Sequence, residues 1–272
     1  MLRGIGRGSV GRVPGVPATV LPGAEPFSAA GSPEGALLVH GFGGSPHSMR
    51  RVARRLAARG FTVEAPLLPG HGTAVEDLVP LGWGEWSSAV ESAYARIRDR
   101  CPRVAVVGHS MGGTLACWLA ERHPDVRGLA AVNPLVEPFD DEVRSSARSL
   151  LEAGVTVWKG ELPDTADPTA ASPSYDGTPI AAFLSLNEGA EEVAAGLGRI
   201  SCPVLVISSK EDHVVPTTSG DLLASSVSGP VERVWLERSY HNAMVDYDHE
   251  KVEEWIEAFV LSVTAERGQE ET

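Results

Sequence analysis

The segment Gly108-His109-Ser110-Met111-Gly112-Gly113 follows directly on the apolar run Val104-Ala105-Val106-Val107 and leads into Thr114-Leu115-Ala116-Cys117-Trp118-Leu119-Ala120. Passing from strand-like to helix-like sequence within six residues demands a sharp turn, and small flanking residues are what allow one. In such a turn the serine backbone is strained and its hydroxyl stands at a helix N-terminus, where negative charge is favoured. A G-x-S-x-G pattern alone carries little weight in a chain with 29 glycines. Its placement between an apolar strand and a helix is what makes Ser110 a candidate nucleophile rather than a glycine-rich turn that only lets a helix pack close to a sheet.

Three other segments fit the same chemistry. His40-Gly41-Phe42-Gly43-Gly44 follows the apolar run Ala36-Leu37-Leu38-Val39 and reads as an oxyanion-hole loop. Acyl transfer puts negative charge on a carbonyl oxygen, and two backbone N–H groups aimed at that position stabilise it. The candidate donors are the amides of Phe42 and Met111. Neither G-x-G-x-x-G nor G-x-x-x-x-G-K-[ST] fits residues 41–45, which disfavours a phosphate cradle. The apolar run Val204-Leu205-Val206-Ile207 passes into Ser208-Ser209-Lys210-Glu211-Asp212-His213, placing an acid where it can orient a histidine. Asp212 is the first choice there, with Glu211 and a merely solvated loop acid as alternatives. Ser239-Tyr240-His241-Asn242 follows the last strand-like run, which makes His241 the candidate general base. Of the other histidines, His40 and His109 lie inside the glycine motifs, and His123 closes a helix as a cation would. His47, His71, His213 and His249 compete in principle, but only His241 follows the last strand.

The chain order Ser110, Asp212, His241 is that of α/β-hydrolases and differs from the orders of chymotrypsin-like and subtilisin-like proteases. With Pro66-Leu67-Leu68-Pro69-Gly70-His71-Gly72-Thr73 and Ser45-Pro46 with Ser48-Met49, these segments resemble the serine α/β-hydrolases over residues 33–262. Within them the chain is similar to small bacterial carboxylesterases and monoacylglycerol lipases. The resemblance implies an α/β-hydrolase fold, Ser110 as nucleophile with Asp212 and His241 as partners, and Phe42 and Met111 amides as oxyanion hole. It implies cleavage of carboxylic esters of small to medium acyl chains through an acyl-enzyme, with no metal and no organic cofactor. Gly43 departs from the slightly larger residue, such as Thr, that the pattern leads one to expect; this bears on loop stiffness, not on donor count.

The rest of the chain is compatible with one domain of that kind. Strands are expected at about 36–40, 61–66, 103–107, 128–133, 203–208 and 231–237, and helices at about 46–59, 83–100, 111–123, 217–226 and 248–264. This alternation predicts a mostly parallel central sheet flanked by helices. Val252, Trp255, Ile256, Phe259 and Val260 recur at helical spacing and should pack the last helix on the sheet. Residues 1–24 read as a flexible leader, broken by Pro14, Pro17 and Pro22 and without a secretory apolar run. Residues 25–265 form the domain and 266–272 a frayed tail.

Between the strands near 133 and 203 lie about 70 residues, far more than a crossover needs, and a small cap insertion is expected at about 137–190. Phe139, Val143, Leu150, Leu151, Val157, Trp158, Ile180, Phe183 and Leu186 offer it apolar surface, with Trp158 and Phe183 as candidates for substrate contact. Glu137, Asp140, Asp141 and Glu142 would keep its mouth wet. An insertion that packs only on itself is the plainer alternative.

Charge and cysteines narrow the partners. A formal net charge of −13 without a basic, aromatic-interleaved patch disfavours nucleic acid and anionic membrane, leaving a small-molecule ester as the expected partner. No stretch approaches the roughly 20 apolar residues of a membrane span. Cys101, Cys117 and Cys202 lie in or beside core elements without C-x-x-C spacing, which fits a reducing cytoplasm and neither zinc nor a disulfide framework. Thioester hydrolysis or acyl transfer on the same triad is the alternative chemistry, though no basic cluster for a nucleotide-bearing thioester is evident. A ligand-binding protein reusing the fold is a further alternative. Epoxide hydrolase or dehalogenase chemistry needs an acid where this chain has Ser110.

Overall fold

Strands apolar at every position must be covered on both faces, and this requirement organises the chain. In the computed structural model, which describes residues 19–160, 163–170 and 172–266, the elements run β1 (Phe27–Ala29), β2 (Glu34–Val39), α1 (Arg50–Ala58), β3 (Thr62–Ala65), α2 (Val75–Leu78), α3 (Trp83–Arg98), β4 (Arg103–His109), α4 (Met111–Ala120) and β5 (Gly128–Val132). They continue with α5 (Asp141–Glu152), β6 (Val157–Trp158), β7 (Thr178–Pro179), α6 (Ile180–Ala194), β8 (Val204–Ser209), α7 (Thr218–Ser226), β9 (Val231–Leu236) and α8 (His249–Thr264). The main sheet has the order β1-β3-β2-β4-β5-β8-β9 and is parallel except for β1, which pairs antiparallel with β3. This is the mostly parallel α/β arrangement that the alternation of patterns predicts.

Side chains alternate across the sheet, so each central strand feeds two cores. Leu37, Val39, Val104, Val106, Leu129 and Ala131 point to one side and pack with Trp86, Val90 and Ile97 of α3 and Leu115 and Leu119 of α4. Ala36, Leu38, Ala105, Val107, Ala130 and Val132 point to the other, toward Val52 and Leu56 of α1 and Ile256, Phe259 and Val260 of α8. The α8 stripe read from the sequence is therefore a core face, with Trp255 partly buried at its edge.

All six expected strands are present as β2, β3, β4, β5, β8 and β9, and the five expected helices as α1, α3, α4, α7 and α8. The first of these begins at Arg50 rather than near 46 because residues 45–49 form turns, with Ser45 and Pro46 carbonyls accepting from Ser48 and Met49. Sequence reading did not place β1, α2 or the elements inside the long insertion, α5, β6, β7 and α6. Of the segment expected as leader, residues 19–24 are described. Leu21 N–H donates to Gly72 O at 2.8 Å, and Ala24 is buried. Residues 1–18 and the tail from 267 lie outside the described residues. Among the described residues no helix is long and apolar enough to cross a membrane.

The parallel strands bring their C-terminal ends to one edge, where the loops after β2, β4, β8 and β9 meet. In open α/β sheets that edge is where ligands bind.

Candidate active site

Ser110 occupies the turn from β4 into α4 with φ 55° and ψ −123°, a left-handed backbone that costs energy for any residue bearing a Cβ. The surroundings hold it there. Its N–H donates to Val132 O at 3.0 Å, and its carbonyl accepts from Gly113 N–H at 2.8 Å. The glycines around it are required by close approach: a Cβ on Gly108 would lie 2.1 Å from Gly112 O, and one on Gly112 would lie 2.1 Å from Val39 O. Backbone atoms cannot yield that much, so β2, β4 and α4 lock together only with glycine at both positions.

His241, on the loop after β9, meets Ser110 Oγ with Nε2 at 3.0 Å, and its Nδ1 lies 2.8 Å from Asp212 Oδ2. Asp212 Oδ1 accepts from the N–H groups of Val214 and Val215 at 2.9 and 2.8 Å. Burial works to raise the Asp212 carboxyl pKa, but hydrogen bonds from His241 and from these two amides prevail and hold it below the ordinary value. An ionised Asp212 only accepts, so His241 Nδ1 donates to it, and in the neutral ring Nε2 is then left as the acceptor for the Ser110 hydroxyl. Both side chains are almost enclosed, with relative exposures of 7% for His241 and 3% for Asp212. Glu211, the alternative acid, is exposed.

His241 is held through its own backbone as well. His241 O accepts from Asn133 Nδ2 at 2.8 Å and from His109 Nε2 at 3.0 Å. Burial first, then the neighbouring His241 ring, push the His109 pKa down to about 4, so His109 is a neutral donor that does not compete as a base. Asn133, at the end of β5 with φ 44°, also accepts from Ser209 N–H with Oδ1 at 2.8 Å and donates to Ser209 Oγ at 3.0 Å. It therefore ties the Asp212 loop to the His241 loop. Sequence reasoning missed Asn133 and Ser209; the one signal was an asparagine at a strand end, a residue type that tolerates left-handed backbone.

The glycine loop after β2 lies against the serine, since a Cβ on Gly41 would approach Ser110 Cβ at 3.2 Å. The Phe42 ring stands edge-on to Trp86 and His71, with centroids 5.7 and 6.1 Å apart. His40 braces the loop: Nδ1 donates to Gly41 O at 2.9 Å and Nε2 accepts from Leu68 N–H at 3.2 Å. Met111 opens α4, so its N–H is one of the helix-start donors with no intrahelical acceptor. This edge of the sheet thus brings together a hydroxyl, an imidazole, a carboxylate and backbone N–H groups, parts that can serve nucleophilic attack on an acyl carbon.

Of the expected substrate contacts, Trp158 stands 51% exposed on the β6–β7 ribbon, and Phe183 on α6 packs against Phe139 at 5.3 Å between centroids. Asp140, read as part of a wet mouth, caps α5 by accepting from Val143 N–H at 2.9 Å.

Comparison with known proteins matches residues 36–255 to the profile of the alpha/beta hydrolase family. The chain belongs to the alpha/beta hydrolase family. This alpha/beta hydrolase is 42% identical over 238 residues to the thermostable monoacylglycerol lipase of Bacillus sp. (strain H-257), covering 84% of this chain and 91% of that one. It is 24% identical over 238 residues to a carboxylesterase of Bacillus subtilis (strain 168), covering 87% and 96%. Among solved structures it superposes on a metagenome-derived lipolytic enzyme with a TM-score of 0.85 and 34% identity, covering 90% of this chain and all of that one.

Proposed function

We propose that Ser110, His241 and Asp212 act as nucleophile, general base and orienting acid of a carboxylic ester hydrolase, with the amides of Phe42 and Met111 as oxyanion donors, and that its substrates include monoacylglycerols. The observation that carries this reading is the continuous Ser110 Oγ–His241 Nε2, Nδ1–Asp212 Oδ2 chain at 3.0 and 2.8 Å on a strained serine. The relatives named for monoacylglycerol lipase and carboxylesterase activity support the substrate class.

In the first half-reaction His241 Nε2 takes the Ser110 proton as Oγ bonds to the ester carbonyl carbon. Charge moves to the carbonyl oxygen, where the two amides stabilise it. The C–O bond to the alcohol then breaks, and the alcohol leaves with the proton from His241. Water repeats the sequence in reverse roles and releases the carboxylic acid and free Ser110. The residues between β5 and β8 serve as a cap whose apolar side chains, Phe183 among them, hold the acyl chain, while the exposed Trp158 lies at its rim. A small-molecule ester, with no nucleic acid and no stable membrane insertion, is the partner we expect, and the cytoplasm is the compartment we assign.

Initial rates on monoacylglycerols and p-nitrophenyl esters of graded acyl length, compared between wild type and Ser110→Ala, test this. Loss of turnover in the variant by a factor on the order of 10³ or more is expected. Turnover retained by Ser110→Ala removes the nucleophile assignment. Wild-type inertness toward the whole series removes the ester substrate class.

A further inference from the structure

The acid and the base sit on separate loops, after β8 and after β9, and a carboxylate from the β5–β8 insertion joins the backbones of both. Asp164 Oδ2 accepts from the N–H of His241 at 3.0 Å and from the N–H of His213 at 3.1 Å. Its Oδ1 lies 2.9 Å from His213 Nδ1, and its carbonyl oxygen accepts from Asn242 N–H at 3.0 Å. The Asp164 side chain is 16% exposed and that of His213 57%, so the bond to the His241 amide is better shielded from water than those to His213. A second carboxylate continues the seam: Asp246 accepts from the N–H groups of Ala166 and Asp167 in the same strap and from that of Tyr240.

We propose that Asp164 is a positioning residue for ester hydrolysis: one carboxylate oxygen shared by the His213 and His241 amides sets the backbone on which Asp212 and His241 meet, so that alignment of the base depends on the seated insertion. The inference rests on the triad reading above. Its physical basis is that a hydrogen bond from a backbone N–H to a carboxylate is stronger than one to a neutral acceptor. Such bonds fix two peptide planes relative to each other, and misplacement of a reacting group by about 1 Å costs on the order of 10²-fold in rate. Asp164 touches no substrate atom in this scheme. It acts through the backbone of its neighbours.

The test uses the full-length chain and a soluble short-chain p-nitrophenyl ester, with kcat and KM measured separately. Asp164→Ala is expected to lower kcat about 10- to 100-fold with KM changed by less than about threefold. Asp164→Asn keeps an acceptor oxygen in place and is expected to recover kcat to within about threefold of wild type. Arg144→Ala loosens the insertion elsewhere, where Arg144 bridges Asp141 and Glu191, and is expected to leave kcat within about threefold. Should Asp164→Ala fail to fold, Asp164→Glu carries the test: its carboxylate is displaced by one methylene, and a kcat loss of about fivefold or more is expected. Wild-type kcat in Asp164→Ala or, in its place, Asp164→Glu overturns the proposal, as does a loss confined to KM or an Asn variant no better than Ala. Ser110→Ala separates the two readings: if it stays active the triad assignment fails, whereas an inert Ser110→Ala beside a fully active Asp164→Ala removes only the role of Asp164.

Discussion

The Ser110 N–H is held by the carbonyl of Val132, and the next residue, Asn133, ties together the loops that face the serine. Its amide spans Ser209 N–H, Ser209 Oγ and His241 O, at a backbone φ of 44°. Asn133→Ala leaves the buried Ser209 N–H without its acceptor and places a Cβ-bearing residue with no compensating bond in the left-handed region. The first loss is worth about 1–3 kcal/mol and the second about 1 kcal/mol. We expect Asn133→Ala to lower unfolding free energy by about 3 kcal/mol in urea titration at pH 7.5; a loss below about 1 kcal/mol would mean that water replaces the amide. Ser110, Asp212 and His241, which the structure brings within hydrogen-bond distance, could be picked from the sequence because each follows an apolar strand and their chain order is distinctive. Asn133 was not, since a single polar residue at the end of β5 gains its meaning only from the loops after β8 and β9, more than 70 residues away in the chain.

Elements with a long, single pattern could be read directly, and those built from remote contacts could not. The α8 stripe of Val252, Ile256, Phe259 and Val260 announces its buried face, whereas β1 is three residues long and exists by pairing with β3. The insertion illustrates the limit further: Asp140 is an N-cap, and Tyr175 reaches back to accept from Thr73 N–H at 3.1 Å, partners that composition does not reveal. Between α1 and α8, the Glu257 carboxylate accepts from both Arg55 and Arg59. Burial alone would raise its pKa, but these two guanidinium groups overcome that and hold it below the ordinary value. A carboxyl depressed on folding stabilises above its unfolded pKa, about 4.3, and loses that contribution only as pH falls through the folded value. Glu257→Gln is therefore expected to cost about 1–2 kcal/mol, with the two partly exposed arginines free to rehydrate. The cost should be equal at pH 6 and pH 8 when measured by urea unfolding; a difference between those two values would place the effect on another group.

At the scale of the whole molecule, pH acts through histidines that the fold buries as neutral rings. His40, His71 and His109 are pushed down to about 3, 4 and 4, in each case first by burial. An unfolded histidine titrates near 6.5, so below that pH the unfolded chain takes up three protons that the folded one refuses. Stability must then fall as pH falls, and the window runs from about 6.5 down to the folded values. Each such proton is worth about 1.4 kcal/mol per pH unit, so full uptake gives a slope of roughly 4 kcal/mol per unit. His213 has the opposite sign, because the Asp164 carboxylate raises its pKa. It contributes below about 6.5 and loses that contribution as pH rises, but its 57% exposure keeps the effect small. Typical domains have only about 5–15 kcal/mol to lose. Unfolding free energies from urea titration are expected to be flat from pH 8 to 7, to fall from pH 6.5, and to have dropped by several kcal/mol at pH 5, with acid unfolding before pH 4. An unfolding free energy unchanged between pH 7 and pH 5 would mean that His40, His71 and His109 take up protons in the folded state, and the neutral donor at His241 O would have to be reassigned.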